Sequence, residues 1–135
     1  MISESKFRSI VRASGLYDLF VTAPFATPWT FALVERLLRE AHAASGARGS
    51  FPPFAPTHAL MANLLGSVVV VWSLLRIREP EVRFGRLDAL ARGLFALSML
   101  YALLHGASTV VAAFLVVEVA FGIAQLLPVR TLAPA

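Results

Sequence analysis

Apolar residues run through this chain in long uninterrupted blocks, without the short periodic stripes of a soluble domain. From Gly93 to Val129 the only formally charged residue is Glu118. A single helix of that length would extend about 56 Å, against a hydrocarbon core about 30 Å thick. The block must fold back on itself, and "HGAS", His105 to Ser108, is the expected turn. It separates spans over 87–105 and 108–128. An earlier uncharged block, "ALMANLLGSVVVVWSLL", gives a span over 58–77. The first block, "GLYDLFVTAPFATPWTFALV", gives one over 15–34 that holds Asp18, Pro24 and Pro28. Proline bends a membrane helix, and neighbouring groups take up the freed carbonyls. A kink is expected between the two prolines, with Thr27 capping a helix that restarts at Pro28.

Two flanking segments have helical patterns of their own. "ISESKFRSIVRAS" sets Ile2, Phe7, Ile10 and Val11 among Lys6, Arg8 and Arg12, the pattern of a short amphipathic helix lying on anionic headgroups. "VERLLREAHAAS" prolongs the first span beyond the bilayer, with Glu35 and Arg39 in the favourable i, i+4 order. The fold class expected is therefore an all-α integral membrane protein. It has four transmembrane helices, the first Pro-kinked and extended, forming a single domain over 1–135.

Composition agrees: 58% of residues are hydrophobic and 15% charged, against roughly 45–50% and about 25% in soluble domains. The basic leader resembles a signal peptide, but Asp18 interrupts the apolar region and argues against cleavage. With four spans, Lys6, Arg8, Arg12, Arg76, Arg78, Arg83, Arg86 and Arg130 share one side, and Arg36, Arg39 and Arg48 the other. Eight against three puts both termini in the cytoplasm, and a bacterial inner membrane is the expected location. The net charge of +4 is then a topology signal, and no basic face with stacking aromatics points to nucleic acid. There is no cysteine, which excludes disulfides, thiolate metal sites and cysteine nucleophiles.

Glu118 needs a reason, because a charge in mid-membrane costs about 2.5–3.5 kcal/mol on insertion scales. In a hairpin turning near Gly106, Arg92 and Glu118 fall within roughly 3 Å of the same depth, within an arginine's reach. Asp18 enters from the same side, and Asp18, Arg92 and Glu118 are expected to form a buried polar cluster. Asp18 and Asp88 share the pattern Gly-x-x-Asp with a phenylalanine seven residues on. That pattern reads first as two helix amino-terminal caps and second as an internal repeat.

The secondary polar positions are Asn63, expected in an interhelical hydrogen bond, and His58 and His105, expected at the outer boundary with His42. Without an H-x-H or H-x-x-x-H pair, neither metal nor cofactor is expected. No P-loop, G-x-S-x-G or H-E-x-x-H motif is present. The leading functional expectation is a non-catalytic accessory, assembly or stabilising subunit of a larger membrane complex. Its partners would be lipids and other integral membrane proteins, or copies of itself. The alternatives are a homo-oligomeric transporter or channel using the Asp18, Arg92 and Glu118 cluster, and a membrane enzyme or binder of a lipid or quinone.

Overall fold

The computed structural model describes residues 1–130. Five helices are present among them: α1 (Glu4–Thr22), α2 (Pro28–Ala44), α3 (Pro56–Arg78), α4 (Val82–Leu104) and α5 (Val111–Leu126). Two-residue strands, β1 (Ile2–Ser3) and β2 (Val129–Arg130), pair in parallel and tie the ends of the described chain together. Helices α3 and α4 are long and apolar enough to cross a membrane, and α5 is apolar but shorter.

Local chemistry sets the boundaries. The Ser3 hydroxyl accepts from the Lys6 N–H and starts α1. Pro24 cannot continue the helical ladder, so the chain tightens into one 3-10 turn over Ala23–Ala26. Thr27 then goes extended and its hydroxyl accepts from the Thr30 N–H, with Pro28 in the first turn of α2. The bend and the capping threonine therefore stand where the two prolines put them. Helix α4 ends at Leu104, and Gly106 takes φ +89° in the turn that reverses the chain.

The amino-terminal segment departs from the expectation. No separate amphipathic helix lies beside the bundle, because α1 runs without a break from Glu4 through Asp18. Phe7 and Val11 are fully buried and face α4 at Gly85, where a Cβ would lie 2.6 Å from the Phe7 ring and from Val11 Cγ2. An apolar stripe suits a lipid surface or a glycine groove equally well, and here the groove takes it. Gly85→Ala should accordingly lower the thermal unfolding temperature of the purified protein, at a cost of about 1–3 kcal/mol for the overpacked contact.

The expected span over 15–34 is divided among the end of α1, the 3-10 turn and the start of α2. The extension that follows it is docked at its far end. Arg39 donates to the Phe51 carbonyl at 3.2 Å, Glu35 accepts from Arg39 and from the Phe54 N–H, and His42 Nδ1 pairs with Ser108 Oγ at 2.7 Å. The loop after α2 is pinned to the α4–α5 turn by the Ser50 N–H on the Gly106 carbonyl and the Ser108 N–H on the Ser50 carbonyl.

Helices α4 and α5 form a hairpin, α1 packs along α3 and also meets α4 and α5, and α2 leans on the 3-10 turn and α3. What this arrangement encloses is unusual. Among the described residues the buried set holds nine polar or charged residues and five hydrophobic ones, whereas Phe20, Val68, Val71, Leu97, Leu104 and Val116 are all exposed. In a water-soluble domain the preference runs the other way.

Candidate functional site

Each of four helices contributes one stripe to the polar interior. On α3 the buried residues are Gly66, Val69, Ser73 and Arg76, spaced three, four and three apart. On α4 they are Gly85, Asp88, Ala89 and Arg92, on α1 they include Ser14 and Asp18, and on α5 they are Glu118 and Gln125. Helical periodicity brings each set to one face, and the four faces meet.

Arg92 sits at the junction with its guanidinium spread across three carboxylates. Nε donates to Asp88 Oδ2 at 3.0 Å, Nη1 to Glu118 Oε2 at 2.8 Å, and Nη2 to Asp18 Oδ2 at 2.8 Å. Arg76 enters from the last turn of α3. It donates through Nη1 to Asp88 Oδ2 at 2.5 Å and through Nη2 to Asp18 Oδ2 at 2.6 Å. Both arginines are about fully buried, at 0% and 1% relative exposure, so these bonds form where little water competes.

Asp88 is the hub. Its Oδ2 also accepts from Gln125 Nε2 at 2.8 Å, and its Oδ1 accepts from Trp72 Nε1 at 2.9 Å. The Ser14 hydroxyl accepts from Arg76 and Gln125 and donates its single proton to Asp88 or to the Val11 carbonyl. Ring faces complete the shell: the Arg92 guanidinium lies 4.9 Å from the Phe121 ring centre and Arg76 5.5 Å from that of Trp72. Arg76 Nε and Gln125 Oε1 have no partner among the described residues.

Asp18, Arg92 and Glu118, the three residues picked from the sequence, thus come together. Arg76 and Asp88 complete the cluster and were missed. Neither aspartate caps a helix: Asp18 lies in the carboxyl-terminal third of α1, and Asp88 lies well inside α4. The cap reading is corrected, because α1 begins at Glu4 and α4 at Val82, earlier than the spans suggested. Arg76 counted only toward the sidedness of the basic residues. The overlooked signal was the small and polar stripe leading to it on a helix otherwise rich in leucine and valine. Two other basic residues serve helix ends: Arg86 donates to the Gln125 and Leu127 carbonyls, and Arg12 to that of Ile77.

The secondary positions stay apart from the cluster. Asn63 Nδ2 donates to the Phe25 carbonyl at 2.7 Å, so α3 serves a carbonyl of the proline-made bend. His58 is exposed in the first turn of α3, and His105 is exposed and stacked on Tyr101 with ring centres 3.9 Å apart. Among the described residues no three acidic, histidine or cysteine side chains gather in an arrangement that would hold a metal ion.

Beside the cluster lies a cavity of about 430 Å³ with apolar walls that include Phe25, Phe31, Phe95 and Phe114. Asp18 and Glu118 also line it. Comparison with protein families, with characterised proteins and with solved structures gives no match to the chain.

Proposed function

We propose that this chain is a four-span integral membrane protein, with both termini cytoplasmic in a bacterial inner membrane, that acts without catalysis as an accessory subunit of a larger membrane complex. Lipid as solvent is supported by the inverted distribution of side chains: charge inside, leucine, valine and phenylalanine outside. On this reading α1, the 3-10 turn and α2 together make the first crossing, and α3, α4 and α5 make the others. The non-catalytic role is supported by the way both arginines of the cluster are consumed in holding four helices in register.

The observation that carries the accessory role is the outer face of α2. Trp29, Leu33 and Leu37 recur every fourth residue and are 81%, 50% and 54% exposed. Among the described residues this helix meets its own chain chiefly through the 3-10 turn and α3, with Phe31 edge-on to Phe54 and the far-end contacts besides. It therefore offers a straight apolar ridge with an aromatic anchor, the composition favoured at the centre of protein interfaces. Gentle extraction at native expression level, followed by native mass spectrometry, tests the proposal. The expected spectrum holds a larger membrane protein at fixed stoichiometry that is lost from Trp29→Ala/Leu33→Ala. A spectrum containing only single or multiple copies of this chain would contradict it and favour a self-contained transporter.

A further inference from the structure

The ionic cluster does not balance. Asp18, Asp88 and Glu118 contribute three negative charges, and Arg76 and Arg92 contribute two positive ones. Two other basic residues, Arg86 and Arg12, are turned to the carboxyl ends of α5 and α3. A surplus buried negative charge is costly in a medium of low dielectric unless a proton or a cation answers it.

The geometry places that surplus at the cavity. Asp88 lies away from the cavity lining, with both oxygens occupied. Glu118 and Asp18 use only Oε2 and Oδ2 toward the arginines. Among the described residues no donor reaches Glu118 Oε1 or Asp18 Oδ1. Both residues line the cavity, and Glu118 is only 7% exposed. A carboxylate oxygen without a donor, on a residue that is otherwise buried, thus faces an apolar cavity. Glu35, the other acid on that wall, is already committed to Arg39 and to the Phe54 N–H.

We propose that this cavity is a binding site for a lipophilic monovalent cation: an apolar body carrying one ammonium group, with the ammonium against Glu118 and Asp18. The volume falls within the range of about 300–1,000 Å³ usual for small-molecule sites. Phe114 stands one helical turn from Glu118 and Phe95 nearly one turn from Arg92, and both line the cavity, which gives the wall aromatic rings of the kind that attract a cation. A neutral alcohol would supply a hydrogen bond but leave the charge uncompensated. An anion would meet two carboxylates. The cavity takes Phe31 and Glu35 from α2, residues other than those of the partner ridge.

Octyltrimethylammonium is a suitable probe, titrated into the full chain in lipid nanodiscs, with octyl sulfate as a control of the same tail and opposite charge. Saturable one-to-one binding of the cation is expected, and none of the sulfate. Glu118→Gln should weaken it roughly tenfold or more through loss of the charge contact. Met99→Trp, which fills the cavity from α4 without touching an ion pair, should abolish it while the protein still elutes as a single species. Equal uptake of both amphiphiles, binding that persists in Met99→Trp, or no saturable binding would overturn the proposal. The last result would assign the missing positive charge to a proton on the cluster.

Discussion

Arg92→Leu should be among the most damaging single substitutions in this protein, costing about 3–5 kcal/mol because it leaves buried carboxylates without their cation. The side chain is 1% exposed and joins Asp18, Asp88 and Glu118 from three helices. Removing it sets three acids against Arg76 alone. The loss should be partly reversible in a specific way. Glu118 touches no other guanidinium, so Glu118→Gln in the Arg92→Leu background returns the cluster to its original charge and should restore much of the melting temperature. The same glutamine change in the wild-type background removes the surplus charge and should cost far less. Thermal unfolding of the four proteins of this cycle, purified in one detergent, gives the coupling directly. A wild-type melting temperature for Arg92→Leu, or no recovery in the double variant, would show that the cluster does not hold the bundle.

Asp88→Asn is expected to match or exceed that effect, at about 3–5 kcal/mol, although it changes few atoms. One carboxylate there accepts from Arg76, Arg92, Gln125 and Trp72. An asparagine amide would point N–H groups at some of these donors and leave both arginines with less charge to face. Asp18→Asn removes the same single charge and likewise leaves two acids against two arginines, but its carboxylate meets two donors, Arg76 and Arg92, and it should be the milder change. The melting temperatures of Asp88→Asn and Asp18→Asn check the order, and a lower value for Asp18→Asn would contradict the hub role of Asp88.

The legible parts of this architecture were those where spacing along one chain segment fixes spacing in space. Arg92 and Glu118 belong to one hairpin, so counting residues from Gly106 was enough to set them at a common depth. Pro24, Thr27 and Pro28 act on their own backbone, and the bend and its cap follow locally. Arg76 was illegible for the opposite reason. An arginine at the end of an apolar helix can extend toward water or turn inward, and only the packing of α1 and α4 against Ser73 and Trp72 turns it inward. The same ambiguity applies to Phe7 and Val11, whose stripe fits a membrane surface as well as it fits Gly85. Asp88 reads as a helix cap because the expected span starts at residue 87, immediately before it, whereas α4 starts at Val82. Val82 to Leu87 form the first turns of α4, where Arg86 donates to the Gln125 carbonyl and Phe84 packs edge-on against Trp72, with ring centres 5.9 Å apart.

Underlying all of these expectations is the claim that the polar interior belongs to a four-span bundle in lipid, and the chain is well suited to a direct test because it contains no cysteine. Single cysteines at Glu79, in the short connection between α3 and α4, and at His105, after α4, occupy exposed positions at opposite ends of one helix. Intact cells would be treated with a membrane-impermeant maleimide before and after permeabilisation. The account predicts that the His105→Cys protein labels in intact cells and the Glu79→Cys protein only after permeabilisation. Labelling of both from the same side, or recovery of the labelled protein in the soluble fraction, would contradict it.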